Sequence, residues 1–138
     1  MATQLSPYLN FDGDAREAVE FYGRVFGTTP DISTYDSVGP VDDPALATKV
    51  LHAQLTIEGV GTLMASDVPP GTTLTDRASV ALSGETEDRE RLRAWFAALS
   101  EDAQELTLME TAPWGDEFGM LRDRFGVGWL VNVAAPTS

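Results

Sequence analysis

The side chains able to do chemistry in this chain are few. Of 138 residues one is histidine and none is cysteine. Disulfides, thiolate metal sites, iron–sulfur clusters and cysteine nucleophiles are therefore excluded, and no site needing two imidazoles can form within one chain. Any imidazole chemistry runs through His52. It lies in Leu51-His52-Ala53-Gln54-Leu55-Thr56, where alternation places His52 and Gln54 on one face of a strand. There an imidazole can hydrogen-bond a ligand or act as an acid or base near neutrality, and it can equally be a structural histidine.

Aromatic residues form the second group. Trp114, Phe118 and Trp129 fall in the last third among Gly115, Gly119, Gly126 and Gly128, whose missing side chains permit close approach. Such rings stack on flat or apolar ligands, and Met64 offers an adaptable apolar wall. Trp129, inside a predicted strand, also reads as core, and Trp114, after Pro113, reads equally as a contact with a second copy. Asp67, Asp116 and Asp123 are the carboxylates a metal or acid–base site would use, although most of the 22 acids serve solubility. Ser66, Ser79 and Ser83 stand in no Gly-x-Ser-x-Gly elbow.

The elements that must position these groups follow from periodicity. Residues 5–11 alternate as a strand. A helix follows, with Ala15, Ala18, Val19, Tyr22, Val25 and Phe26 at helical spacing, Asp12 or Asp14 at its start and Gly27 as its stop. Strands are predicted at 29–35, 50–57 and 60–65, the last two joined at Glu58-Gly59, with a polar loop at 36–48. After a breaker at 67–76, rich in Pro and Gly, the order begins again: strand 78–82, helix 86–99 with Leu92, Trp95, Phe96 and Leu99 inward, strand 105–109, and a hairpin of 117–122 and 127–133. The acids Glu85, Glu87, Asp88 and Glu90 suit a helix N-terminus, with Arg89, Arg91 and Arg93 compensating. A shift of 73 residues superposes Leu9 on Leu82, Val19 on Leu92, Tyr22 on Trp95 and Phe26 on Leu99, and a shift of 67 superposes Gly59 on Gly126.

The expected architecture is α+β: a single domain spanning 1–138, built from two βαβββ modules at about 1–66 and 77–138, forming a curved mixed sheet with a concave cleft, the default place for a ligand. The net charge of −13 opposes nucleic acid or an anionic membrane as partner. No apolar run reaches the roughly 20 residues of a membrane helix. The start, Met1-Ala2-Thr3-Gln4-Leu5, has neither a basic nor an apolar signal region, so the expected address is the cytoplasm.

Several segments carry a resemblance: Pro7-Tyr8-Leu9-Asn10-Phe11, Ala15-Arg16-Glu17-Ala18-Val19-Glu20-Phe21-Tyr22, His52-Ala53-Gln54-Leu55, Trp114-Gly115-Asp116-Glu117-Phe118-Gly119 and Asp123-Arg124-Phe125-Gly126-Val127-Gly128-Trp129. In order and spacing they resemble the PhnB-like branch of the vicinal oxygen chelate superfamily, which includes glyoxalase I, bleomycin-resistance proteins and extradiol dioxygenases. The resemblance implies the fold and a homodimer. It also implies metal-ligand positions on the first and last strand of each module, here Pro7 and Ser79, and Leu63 or Met64 and Leu130. These are poor ligands, because a divalent ion needs three or four oxygen, nitrogen or thiolate donors. The branch is sometimes labelled a demethylubiquinone methyltransferase, yet no Gly-rich strand-to-helix turn for an adenosyl cofactor is present.

The leading expectation is a protein that binds a small apolar or aromatic molecule through Tyr8, His52, Gln54, Met64, Trp114, Phe118 and Trp129, with no cofactor or tightly bound metal. Two other readings stay open. One is a glyoxalase-like lyase or dioxygenase using His52 with Asp67 or Asp116, and the other is a subunit that meets a protein partner through Trp114.

Overall fold

Alternating runs and two amphipathic helices resolve, in a computed structural model, into two four-stranded mixed sheets, each with its own helix. Residues 6–69 and 79–136 are described. Leu5, Ala78 and most of the predicted 67–76 connection lie outside them. The chain divides into compact units at Arg77 and Ala78.

In the first unit, β1 (Tyr8–Phe11), α1 (Ala15–Phe26), β2 (Asp31–Thr34), a short helix α2 (Pro44–Ala47), β3 (Val50–Ile57) and β4 (Gly61–Asp67) give the sheet order β1-β4-β3-β2. Only the β1–β4 pair is parallel. The second unit repeats the plan with β5 (Ser79–Gly84), α3 (Arg89–Leu99), β6 (Glu105–Thr111), β7 (Glu117–Arg122) and β8 (Gly128–Val133), in the order β5-β8-β7-β6. Strands run longer than predicted at their C-terminal ends: β4 reaches Asp67, β5 Gly84 and β6 Thr111. Tyr35, predicted as strand, sits in a 3-10 turn.

Each helix buries one stripe on one face of its sheet. Ala15, Ala18, Val19, Phe21, Tyr22 and Phe26 pack with Leu9, Phe11, Ala53, Leu55, Leu63 and Ala65. Leu92, Trp95, Phe96 and Leu99 pack with Val80, Leu82, Trp129 and Val131. At roughly 1.5–3 kcal/mol for each large buried side chain, these two cores outweigh any surface contact. Gly27, at φ 71°, closes α1 in the left-handed conformation.

The start of α1 differs from expectation. Asp67, reaching from the end of β4, accepts the Gly13 and Ala15 N–H groups at 2.8 and 3.0 Å. Its other oxygen accepts Val50 N–H at 2.9 Å. The helix end is thus satisfied by a carboxylate distant in sequence, whereas neither Asp12 nor Asp14 supplies a side-chain cap. The turn before α3 is closed locally, by a capping box of Glu85 and Asp88.

Strand pairing fixes how the halves correspond. Tyr8 faces Met64 and Ala81 faces Leu130, so the first strands are related by 73 residues and the last strands by 66. The β3–β4 and β7–β8 hairpins share that 66-residue shift, so Gly59 does not superpose on Gly126. Their turns place positive φ differently: Gly59 (77°) is third in the turn from Ile57 to Val60, and Gly126 (85°) is fourth in the turn from Asp123. The first suits a type II turn and the second a three-residue loop with a left-handed final residue.

Candidate functional site

Side chains on the far face of each sheet, turned away from its helix, are the ones free for function. In the first unit a register row runs Tyr8, Met64, Gln54, Asp31 across β1, β4, β3 and β2. His52 lies on the same face, paired with Ser33. Its ring centroid is 6.0 Å from that of Tyr8, with planes tilted by 39°. Four of the expected ligand residues, Tyr8, His52, Gln54 and Met64, are therefore together. Tyr8 is 46% exposed. Among the described residues no hydrogen bond occupies the His52 imidazole, the Gln54 amide or the Tyr8 hydroxyl. This face offers an aromatic ring, a thioether and the hydrogen-bonding groups of Tyr8, His52 and Gln54.

The second unit distributes the remaining residues. Phe118 occupies the far face between Asn132 and Glu110. Trp114 is 69% exposed in the loop between β6 and β7, which is closed by the Ala112 N–H to Asp116 carbonyl bond at 2.7 Å. Trp129 lies on the helix side, 2% exposed, with Nε1 donating to Asp123 at 2.8 Å. It packs with the core and is not brought to the far face.

The three candidate carboxylates are engaged in architecture. Besides Trp129, Asp123 accepts Phe125 and Val127 N–H at 2.8 and 3.0 Å. Asp116 accepts Ala135 N–H at 2.8 Å and the Asn132 amide at 3.2 Å. Asp67 shares the helix side of its sheet with Leu63 and Ala65, opposite to His52. Its main-chain oxygen accepts the Tyr35 hydroxyl at 2.8 Å. Burial first, and then the Asp67 charge, push the Tyr35 phenol above its ordinary value.

Two features escaped the reading of the sequence. Glu117, buried beneath α3, receives Arg93 Nε and Nη2 at 2.6 Å each, with Arg89 at 3.6 Å. The Arg93 hydrogen bonds hold its carboxyl below the usual value. The other is a hollow of about 210 Å³ on the far face of the second sheet, lined by Ser79, Glu105, Thr107, Met120, Arg122 and Leu130. Arg122 is the one Lys or Arg in any described strand, and that signal was legible in the sequence.

The positions expected to hold a metal do not fit one. Leu63 is on the helix side, 3% exposed, and the far-face counterparts Met64 and Leu130 are apolar. Ser79 corresponds in register to Ser6, not to Pro7. Among the described residues no three of His, Cys, Asp and Glu gather at a metal-binding distance.

Similarity to known proteins agrees with this geometry. Residues 3–132 match the model of the family described as 3-demethylubiquinone-9 3-methyltransferase. The protein PA1353 from Pseudomonas aeruginosa is 31% identical, with 98% of this chain and 100% of that one covered and a TM-score of 0.81. A structure described as a putative 3-demethylubiquinone-9 3-methyltransferase, PhnB protein, from Bacillus cereus is 30% identical, covering 96% of this chain and 100% of that one at TM-score 0.69. The chain belongs to the PhnB-like branch of the vicinal oxygen chelate superfamily. A bleomycin-binding protein complexed with bleomycin shares the fold of this PhnB-like chain at 17% identity, 96% and 99% coverage and TM-score 0.58. Among the described residues, the first strand-to-helix turn of this PhnB-like protein lacks the Gly-rich form an adenosyl cofactor would need. That turn is Asp12-Gly13-Asp14, and the helix N–H groups there are taken by Asp67. None of the protein's described helices is long and apolar enough to cross a membrane.

Proposed function

We propose that this PhnB-like protein binds a small, partly apolar or aromatic molecule on the far face of its first sheet, without a tightly held metal. The observation that carries the reading is the grouping of Tyr8, His52, Gln54 and Met64, with the Tyr8 and His52 rings 6.0 Å apart. Tyr8 and Met64 supply stacking and apolar contact, while His52 and Gln54 supply directional hydrogen bonds. The fold shared with a bleomycin-binding protein supports the general class of activity. A homodimer fits the exposure of Leu106, Leu108 and Trp114 in the second unit, and sedimentation of purified protein tests it.

The ligand test uses 2-naphthol, an aromatic with one hydroxyl, titrated while amide shifts are followed. Saturable shifts centred on β1, β3 and β4 are expected. Tyr8→Ala and His52→Ala should each weaken them by about tenfold, as loss of a stacked ring or a buried hydrogen bond would. Equal binding by both variants overturns the reading. A stoichiometric divalent ion in purified protein, lost in His52→Ala, overturns its metal-free part.

A further inference from the structure

We infer that the hollow on the far face of the second sheet is an anion-binding site, holding the carboxylate end of a one-ring molecule with Arg122 as its anchor. It is lined by residues of the second unit and uses none of those proposed to bind on the first unit's face.

The hollow arises from two adjoining register rows. One runs Ser79, Gly128, Arg122, Glu105, and the next Ala81, Leu130, Met120, Thr107. Gly128 has no side chain of its own in the first row, and the Ser79 hydroxyl leans over it, 2.6 Å from where a Cβ would lie. At the corresponding position the first unit has Thr62, which faces Thr56. The space of about 210 Å³ is below the ~300 Å³ at which drug-sized sites begin, so it suits a single ring.

Its chemistry is that of a carboxylate receptor. Arg122 Nη1 is fixed on the Gly126 carbonyl at 2.9 Å, and a guanidinium has further N–H donors in a planar fork. Glu105 is the one acid in the two rows. It stands 3.6 Å from Nε and is itself 75% exposed, so the pair is loose. A ligand carboxylate accepting two parallel N–H bonds replaces it with a stronger contact. Ser79 and Thr107 add hydroxyl donors, and Met120 and Leu130 give the ring an apolar bed. A chain of net charge −13 does not draw anions from a distance. Selection therefore rests on this local fork.

Benzoate and its uncharged analogue benzyl alcohol provide the test, titrated against the full chain with amide shifts as the readout. Benzoate is expected to shift β7 and β8 saturably. Benzyl alcohol should bind at least about tenfold more weakly, and Arg122→Gln should lower benzoate affinity by a similar factor. Glu105→Gln, at an exposed position, should tighten benzoate binding. Equal binding of the two probes, unchanged affinity in Arg122→Gln or in Glu105→Gln, or no saturable benzoate shift overturns the site. His52→Ala should leave benzoate binding unchanged while weakening that of 2-naphthol, so either proposal can fail alone.

Discussion

On its far face the first sheet carries Tyr8, His52, Gln54 and Met64, and its strands contain no Lys or Arg. The second sheet carries Phe118, Met120 and Leu130 beside an ion pair of Arg122 and Glu105. Yet the two backbones pair in the same order. Equivalent register positions hold His52 and Phe118, Gln54 and Met120, Thr62 and Gly128, Leu51 and Glu117, Ala53 and Gly119, and Asp67 and Val133. The duplicated architecture thus sets where side chains stand, and single choices at matched positions set what each face can recognise.

The sharpest break in the symmetry is Asp67 against Val133. Asp67→Ala strands three backbone donors and should lower stability by on the order of 4 kcal/mol in urea unfolding, at about 1–3 kcal/mol for each buried unsatisfied group. Val133→Ala should cost less. A loss under about 1 kcal/mol for Asp67→Ala would remove the carboxylate from its structural role.

Ala53 and Gly119 come next. A Cβ at Gly119 would lie 2.6 Å from Met109 Cγ and 3.0 Å from the Phe96 ring, while Ala53 is fully buried with its own Cβ already accommodated. Gly119→Ala should destabilise by about 1–3 kcal/mol through overpacking. Ala53→Gly should cost about 0.5–1 kcal/mol. Thermal melts that rank the two in reverse would show that Met109 yields without strain.

The smallest effect concerns Leu51 against Glu117. Arg93 holds the folded carboxyl below its ordinary value of 4.5, so Glu117 stabilises above that value and its contribution drains as pH falls through the folded value. The melting temperature of the parent should exceed that of Glu117→Gln most at neutral pH, and the gap should close on acidification. A gap that widens toward low pH contradicts the assignment.

Much of the fold was legible because Val19, Tyr22 and Phe26, and likewise Leu92, Trp95 and Leu99, repeat at helical spacing and meet alternating strands. The bounds of β3 and β7 follow directly from that alternation. Less was legible of the site. Alternation correctly grouped His52 with Gln54, but it could not show that Tyr8 and Met64 join them, because strand order is a tertiary property. Trp129 and Phe118 are both aromatic and near glycine, and only register separates the core ring from the far-face ring. Asp67 read as the first residue of a loop, since nothing local reveals that its partners are amides from Gly13, Ala15 and Val50. The Gly59 and Gly126 match misled because glycine marks a turn without fixing its position within it.

Asp67 also bears on the order of assembly. The first turn of α1 is secured by a side chain more than fifty residues away, so it cannot be completed until β4 has docked. The entry to α3 is closed by Glu85 and Asp88, three residues apart, and is available as soon as that segment turns. Two copies of one topology thereby acquire different contact order at the same step, which makes the N-terminal helix entry the later one to gain protection from amide exchange.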